Sequence, residues 1–360
     1  MSLGSKKSYY LSVGCREIDT ISSAIEKRGV KVIALNFDYI LRIDTIRANK
    51  LGSKLLVGDF CYEGFDLRKY IIQFTGVIAL NAKKLYFRKR IYSYILRYMQ
   101  PRRIFVQTLS SFNINSMLIN SIAKEISVKV YCWMHGGYGA YTSLPGFDVT
   151  DFMHSTNHIV YGSGAKGTIT SDESILRSLY PNVQFNTLIL GSPYLDMLYS
   201  KQKRCNRMRK KIVFSLPGFY KNNHFYFGFF RPHNYMNYWN ECKRIISALS
   251  QYSNEFDIYI KDYSDSPQKD RVIRLLSKLK DEHIIYVSSE CKYKSIIQDA
   301  NALIYPWVST SFIEGLYTSA DILLYDNSEM TIEANTVLKN CSVFSSDLNV
   351  PKFNLLLYMY

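Results

Sequence analysis

The sequence predicts an α/β protein made of two facing Rossmann-like domains with a cleft between them. Short apolar runs alternate with helix-periodic segments along most of the chain, the pattern of strands and helices in a layered parallel sheet. The alternation stops and restarts around Lys201 to Lys211, which holds seven Lys or Arg residues and no acid. The length of 360 residues is that of about two average domains. The domains are therefore drawn at 1–200 and 212–360, with 201–211 as an exposed basic linker.

Composition narrows the class of protein. A hydrophobic fraction of 47% supports a sizeable core, and Tyr (30) and Phe (20) are both abundant. No apolar run approaches the roughly 20 residues of a membrane span, and the N-terminus lacks the apolar stretch of a signal peptide. The expectation is a soluble, cytoplasmic-side protein, peripheral at most at the inner face of the membrane. Seven cysteines are scattered without a Cys-x-x-Cys pair, which argues for buried thiols rather than a zinc or disulfide framework. The formal net charge of +15 implies an anionic partner: nucleic acid, an acidic membrane surface or a phosphorylated substrate.

The first half opens with a strand at Tyr9 to Val13, a helix at Ile18 to Lys27 and a strand at Lys31 to Asn36. Lys54 to Val57 is a further strand candidate, and Ile71 to Leu80 is apolar without a decisive period. From Lys83 to Met99, Phe87, Ile91, Tyr94, Ile95 and Tyr98 recur at helical spacing. Lys83, Lys84, Arg88, Lys89, Arg90 and Arg97 surround them, and Arg102 and Arg103 extend the patch. Such a helix is a candidate for lying on an anionic membrane surface; the alternative is a core-facing helix with a solvated basic side. No nucleic-acid recognition motif accompanies the charge, so nucleic acid is not the expected partner.

Strands at Ile104 to Gln107 and Val128 to Met134 flank a helix at Ile114 to Glu125. The second strand runs into His135-Gly136-Gly137-Tyr138-Gly139. Gly136, Gly137 and Gly139 imply a tight turn or a close approach of the backbone to a neighbour. His135 thereby stands at the carboxyl end of a strand, the ligand side of an open α/β sheet. Asp148, Asp151 and His154 follow in a polar stretch. A strand at Ile159 to Tyr161, a helix at Glu173 to Leu179 and a strand at Thr187 to Leu190 lead to Gly191-Ser192-Pro193.

In the second half, Ile212 to Ser215 is a strand, followed by a long aromatic loop from Gly218 to Tyr238 whose length and composition mark it as functional. Helix Tyr238 to Leu249, strand Asp257 to Ile260, helix Asp270 to Leu279, strand Ile284 to Val287 and a short helix at Ser295 to Asp299 follow. The segment Ala302 to Asp326 then reads as strand, hydroxyl-rich turn, helix and strand. The turn, Ser309-Thr310-Ser311, precedes a helix whose first N–H groups are unpaired and positive, a natural phosphate site. Lys261, at another strand end of the same sheet, is placed to grip that phosphate from a second side. Glu314 lies near enough to accept hydrogen bonds from ribose hydroxyls. The plainer alternative is that Ser309 to Ser311 only cap a helix.

His135-Gly136-Gly137-Tyr138-Gly139, Gly191-Ser192-Pro193 with Asp196, Ser215-Leu216-Pro217 and Ser309-Thr310-Ser311 with Phe312, Ile313 and Glu314 together resemble a family of bacterial surface-carbohydrate transferases. More distantly the chain resembles two-domain GT-B enzymes such as capsule Kdo transferases and CDP-glycerol glycerophosphotransferases. The resemblance covers roughly Ile104 to Asp326. It implies a GT-B-like fold, a donor nucleotide on the second domain and a glycan or lipid-linked glycan acceptor on the first. It implies glycosyl transfer without metal or cofactor, from a CMP- or UDP-type sugar. Lys261, Ser309, Thr310, Ser311 and Glu314 would then bind the donor, and His135, Asp148 or Asp151 would take the acceptor proton. Many of these relatives carry His-Pro after the Lys of the second-domain strand, where this chain has Asp262-Tyr263. Polyol-phosphate transfer on the same fold, a non-catalytic glycan- or membrane-binding module and a sugar-nucleotide epimerase remain as alternatives.

Overall fold

Strand β1 (Ser8–Val13) sets the pattern of the first half: it pairs in parallel with β2 (Val30–Ala34), Leu11 opposite Ile33, and on its other side with β5 (Arg103–Val106), Leu11 opposite Ile104. The computed structural model describes residues 8–35, 61–62, 65–66, 85–109, 114–137, 141, 151–170, 175–201, 209–216, 235–262, 269–306, 308–325, 330–338 and 343–344. Asp148, Gly139, the candidate strand at Lys54 to Val57, the apolar segment Ile71 to Leu80 and most of the aromatic loop beginning at Gly218 lie outside the described residues.

β3 (Cys61–Tyr62) and β4 (Phe65–Asp66) form a separate antiparallel pair. With β6 (Lys129–Trp133), β7 (Asn157–Val160) and β8 (Asn186–Ile189), the main sheet runs β2-β1-β5-β6-β7-β8. β5 and β6 are buried after their first residue, as expected of parallel strands covered on both faces. Helix Ile114–Glu125 packs with Ile119, Ile122 and Ala123, spaced three and four apart on one side and wholly buried. The helix expected over Ile18 to Lys27 is two short ones, Arg16–Thr20 and Ser22–Glu26. Thr20 Oγ1 donates to the Arg16 carbonyl at 2.8 Å and Ser22 Oγ to that of Asp19 at 2.9 Å, so hydroxyls take up the carbonyls that a continuing helix would use.

The second sheet contains β9 (Lys210–Ser215), β10 (Phe256–Lys261), β11 (Ile284–Val287), β12 (Ala302–Tyr305), β13 (Asp321–Leu324) and β14 (Val343–Phe344). Its order is β11-β10-β9-β12-β13-β14, all parallel. Side chains of β9 alternate between two cores. Ile212 and Phe214 pack with Trp239, Cys242, Ile245 and Ile246 of helix Tyr235–Ser250. Val213 packs on the other face with Leu303, Phe312, Ile313 and Leu338. The protein is thus of the GT-B-like fold class, with two doubly wound parallel sheets.

Met1–Met134, Val149–Ile159 and Leu179–Leu188 form one compact unit, and His135–Asp148, Val160–Ser178 and Ile189–Tyr360 the other. A boundary drawn at residue 200 does not describe these units. Helix Pro193–Ser200, capped by Ser192 Oγ accepting from the Leu195 N–H at 3.2 Å, buries Leu195 and Leu198 in the core around Val213. The end of the basic linker is structural as well: β9 begins at Lys210. Arg209 pairs with Asp257 at 3.1 Å and donates to the carbonyls of Ser253, Asn254 and Phe256. Lys211 has a side chain only 3% exposed, with Nζ 2.7 Å from Asp299 and 4.6 Å from the Tyr259 ring centroid. Three cysteines, Cys15, Cys132 and Cys242, are buried thiols, and burial pushes Cys15 up to about 12. Among the described residues no helix is long and apolar enough to cross a membrane.

The Lys211–Asp299 pair is asymmetric, because Asp299 is 21% exposed and can reach water whereas Lys211 cannot. Asp299→Ala leaves an ammonium in the interior and is expected to cost about 3 kcal/mol in urea unfolding, while Lys211→Met, which keeps the volume, costs less than about 1.5 kcal/mol. Equal losses would show that the pair is effectively at the surface.

Candidate functional site

In the second sheet the chain leaves β9 towards β10 and β11, then returns to place β12 on the other side of β9. Counted within the sheet this is the order 3-2-1-4-5-6, in which connections leaving the first and fourth strands go to opposite faces and open a crevice at their carboxyl ends. Ser215 ends β9 and Tyr305 ends β12. The hydroxyl-rich turn lies just beyond Tyr305.

That turn starts helix Thr310–Leu316, with Ser309 as its cap: extended at φ −148°, its Oγ accepts from the Phe312 N–H at 3.3 Å. The cap reading therefore holds for Ser309, although its hydroxyl keeps a proton to donate elsewhere. Phe312 and Ile313 enter the core, which draws Glu314 in with them; Glu314 is 6% exposed.

The glycine-rich loop meets this turn. Gly136 and Gly137 have φ of +66° and +77°, values that a residue with a Cβ adopts only under strain. A Cβ on Gly136 would fall 2.3 Å from Thr310 Oγ1, and one on Gly137 2.7 Å from the Tyr161 ring. The backbone after β6 is thus seated directly on the start of the helix, within the second unit. His135, at the head of the loop, is exposed. The structure brings together Gly136, Gly137 and Thr310 out of the residues singled out in the sequence.

Others are placed differently. Lys261 Nζ donates to the carbonyls of Asp262 at 2.7 Å and Ser288 at 3.0 Å. Ser288 follows β11, on the side of β10 away from β12, so Lys261 is held by the strand ends on that side and not against the turn Ser309 to Ser311. The physical reason is burial: Lys261 is 5% exposed, desolvation lowers its pKa, and the two carbonyls answer its charge. Asp262 accepts from Tyr286 Oη at 2.8 Å, which further ties the ends of β10 and β11. Asp151 belongs to the first unit and is 5% exposed, with its carbonyl accepting from the Leu109 N–H at 2.8 Å and Cys132 Sγ at 3.1 Å.

Sequence reasoning missed a buried chain of hydroxyls at the crevice. Ser215 Oγ lies 2.9 Å from Tyr293 Oη, which lies 2.7 Å from Tyr305 Oη. Burial pushes both phenols upward, so they remain protonated donors. Tyr305 Oη also sits against Gly315, where an added Cβ would meet it at 2.2 Å. The one signal in the sequence was a tyrosine at the end of an apolar run; Tyr293 gave none. The first sheet has its own reversal, between β1 and β5. There Gly14 has φ +59°, the Arg16 N–H donates to Gln107 Oε1 at 3.4 Å, and Arg16 pairs with the wholly buried Glu17 at 3.7 Å.

No family model matches the chain, and no curated protein does. Solved structures do. UDP-GlcNAc 2-epimerase from Neisseria meningitidis bound to UDP-GlcNAc is 11% identical with a TM-score of 0.56, covering 98% of this chain and 92% of that one. The Methanocaldococcus jannaschii UDP-GlcNAc 2-epimerase in complex with UDP-GlcNAc and UDP is 12% identical with a TM-score of 0.55, covering 98% and 92%. MurG of Acinetobacter baumannii aligns at a TM-score of 0.45 with 9% identity, covering 98% and 90%. This chain shares its fold with the two epimerases. At such identities the likeness is one of architecture.

Two substitutions test the packing. Gly136→Ala adds both a clash with Thr310 and a strained φ, and is expected to lower stability by about 1–3 kcal/mol. Gly315→Ala should lower the melting temperature through Tyr305, and the double variant Gly315→Ala/Tyr305→Phe should lose less than the sum of the single losses. Strict additivity in the thermal melts would rule out the Gly315–Tyr305 contact as the cause.

Proposed function

We propose that this protein acts on a nucleotide-activated sugar and, within that class, is a glycosyltransferase moving the sugar to a hydroxyl of a surface polysaccharide or lipid-linked glycan. The observation that carries the reading is the seating of the Gly136 backbone, just after His135, on Thr310 at the β9/β12 reversal, which builds one strand-end surface from two distant stretches of chain. The fold likeness to epimerases bound to UDP-GlcNAc and UDP supports a nucleoside diphosphate sugar as donor, with UDP the first candidate; a CMP-sugar, which carries a single phosphate, is the second.

In this reading the hydroxyls and N–H groups of Ser309, Thr310 and Ser311 bind the donor phosphates, and Glu314 accepts from the ribose. His135 removes the proton from the acceptor hydroxyl as its oxygen bonds to the anomeric carbon. The bond from that carbon to the phosphate oxygen breaks, and the charge that develops there is met by fixed dipoles, so the transfer needs no metal. Lys261 acts at one remove, fixing the loops after β10 and β11.

A second reading has its own support, since solved structures with TM-scores above one half include UDP-GlcNAc 2-epimerases. The two differ in what they need. A transferase releases nucleoside diphosphate in proportion to glycosylated acceptor. A 2-epimerase inverts the sugar without acceptor and exchanges the C2 hydrogen with solvent deuterium.

Thermal shift against UDP, CDP, CMP, GDP and dTDP is the first test. A nucleotide at about one hundred times its Kd raises stability by about 2.7 kcal/mol. The shift should appear with one nucleotide and vanish in Glu314→Ala. His135→Ala should keep the shift and lose about 10²–10⁴ in turnover. Full transfer activity in His135→Ala would remove that residue from the mechanism, and no shift from a folded sample with any nucleotide would remove the donor site.

A further inference from the structure

The helix over 85–99, in the first unit, presents a face that its own packing leaves uncovered. Its inner side carries Tyr92 and Leu96, both buried, and Tyr92 Oη donates to Asn115 Oδ1 at 3.0 Å, which ties the helix to Ile114–Glu125. Periodicity alone placed Tyr94 and Tyr98 on the apolar side with Ile91 and Ile95. The structure turns them out: Tyr86, Tyr94 and Tyr98 are 65%, 74% and 81% exposed, and Arg90 and Arg97 are exposed beside them. At 100° per residue these five side chains occupy about one third of the helix circumference, in a stripe about 18 Å long.

The stripe is ordered by its own contacts. Tyr94 and Tyr98 stack with centroids 6.3 Å apart and planes 9° from parallel, and the Arg90 guanidinium lies 6.0 Å from the Tyr86 centroid. Residues 85–99 contain four basic side chains and no acid. Lys89, on the flank, is already paired with Glu125 of the neighbouring helix at 2.7 Å, so the stripe is distinct from that ion pair. A merely solvated face has no use for three tyrosines in line.

We propose that Tyr86, Arg90, Tyr94, Arg97 and Tyr98 form the contact surface of this protein for an anionic phospholipid bilayer. A straight stripe on a convex helix cannot enclose a sugar or a base, but a plane meets all five side chains at once. Tyrosine rings suit the headgroup layer, where the ring enters the apolar edge and the hydroxyl stays wet, and the two guanidinium groups pair with lipid phosphates. The attraction combines apolar contact with charge, so it requires acidic lipid and weakens with salt. This surface does not depend on the nucleotide-sugar reading; a protein that bound no nucleotide would keep it.

The test is sedimentation of the full chain with vesicles of phosphatidylcholine and phosphatidylglycerol against vesicles of phosphatidylcholine alone. Binding is expected to the first and not the second. Arg90→Gln and Arg97→Gln should each weaken it about fivefold, and Tyr86→Ser/Tyr94→Ser/Tyr98→Ser should abolish it. The arginine variants change exposed positions only and serve if the tyrosine variant fails to fold. In a Trp307→Phe background, which leaves only the buried Trp133 and Trp239, Tyr94→Trp should be quenched by brominated lipid beyond its parent. Vesicle binding that survives both sets of substitutions, or the absence of vesicle binding, overturns the proposal. Binding of dextran sulfate with the same tyrosine dependence but no binding to vesicles would assign the stripe to a soluble polyanion and overturn it equally.

Discussion

The constraint on which the second unit depends is the reversal of strand order at β9 and β12. Two parallel neighbours whose outgoing connections take opposite faces leave an opening that no helix of the same sheet can cover. What closes the edges of that opening must come from the strand ends themselves or from other stretches of chain. The hydroxyls of Ser215 and Tyr305, bridged by that of Tyr293 from the helix before β12, answer the first need, and the backbone of Gly136 and Gly137 the second. Both solutions demand small neighbours. Gly315 makes room for the Tyr305 phenol, and Gly136 for Thr310.

Buried tyrosines in such a place have a definite cost and use. Phenylalanine would fill the same volume without a polar atom to satisfy; in Tyr293 and Tyr305 each oxygen answers another, and Ser215 ends the chain of contacts at the crevice. The effect is to couple the end of β9, the helix Tyr293–Ile297 and the end of β12 through directional bonds instead of apolar contact alone. A crevice lined by such bonds holds its shape better than one lined by side chains free to change rotamer.

Much of the fold was legible because parallel strands buried on both faces are short continuous apolar runs: Ile104, Ala302 and Ile322 each lie in one. The start of the hydroxyl-rich helix was legible through Ser309, and the glycine-rich turn through Gly136 and Gly137. What could not be read were relations between distant stretches. Nothing local in His135-Gly136-Gly137 says that it meets Thr310, and nothing near Lys261 says that the Ser288 carbonyl will answer its charge. Helix Ile18 to Lys27 failed for a local reason that apolar spacing does not report, the competition of Thr20 and Ser22 hydroxyls for backbone carbonyls. Helices Ser163–Thr170 and Pro193–Ser200 were not anticipated, the first because Gly164 and Gly167 argue against a helix and the second because Pro193 reads as a terminator when it stands at the first helical turn.

The charge of the chain shows the same division between what composition states and what structure assigns. A net charge of +15 reads as an undivided attraction for anions, yet several of the cations are engaged inside the fold. Arg209 is held by Asp257 and the carbonyls of the turn before β10, Lys211 between Asp299 and the Tyr259 ring, and Lys261 by two carbonyls. These groups act as internal fasteners, and their charge is answered where they stand. Arg90 and Arg97 differ in kind, for they stand in water beside aromatic rings that are equally uncovered. A cation that has been answered within the fold contributes little to long-range attraction, whereas one held beside exposed rings can be desolvated by a partner with little loss. The sign of the total charge therefore indicates what kind of partner the protein meets, and the burial of each cation decides where the meeting takes place.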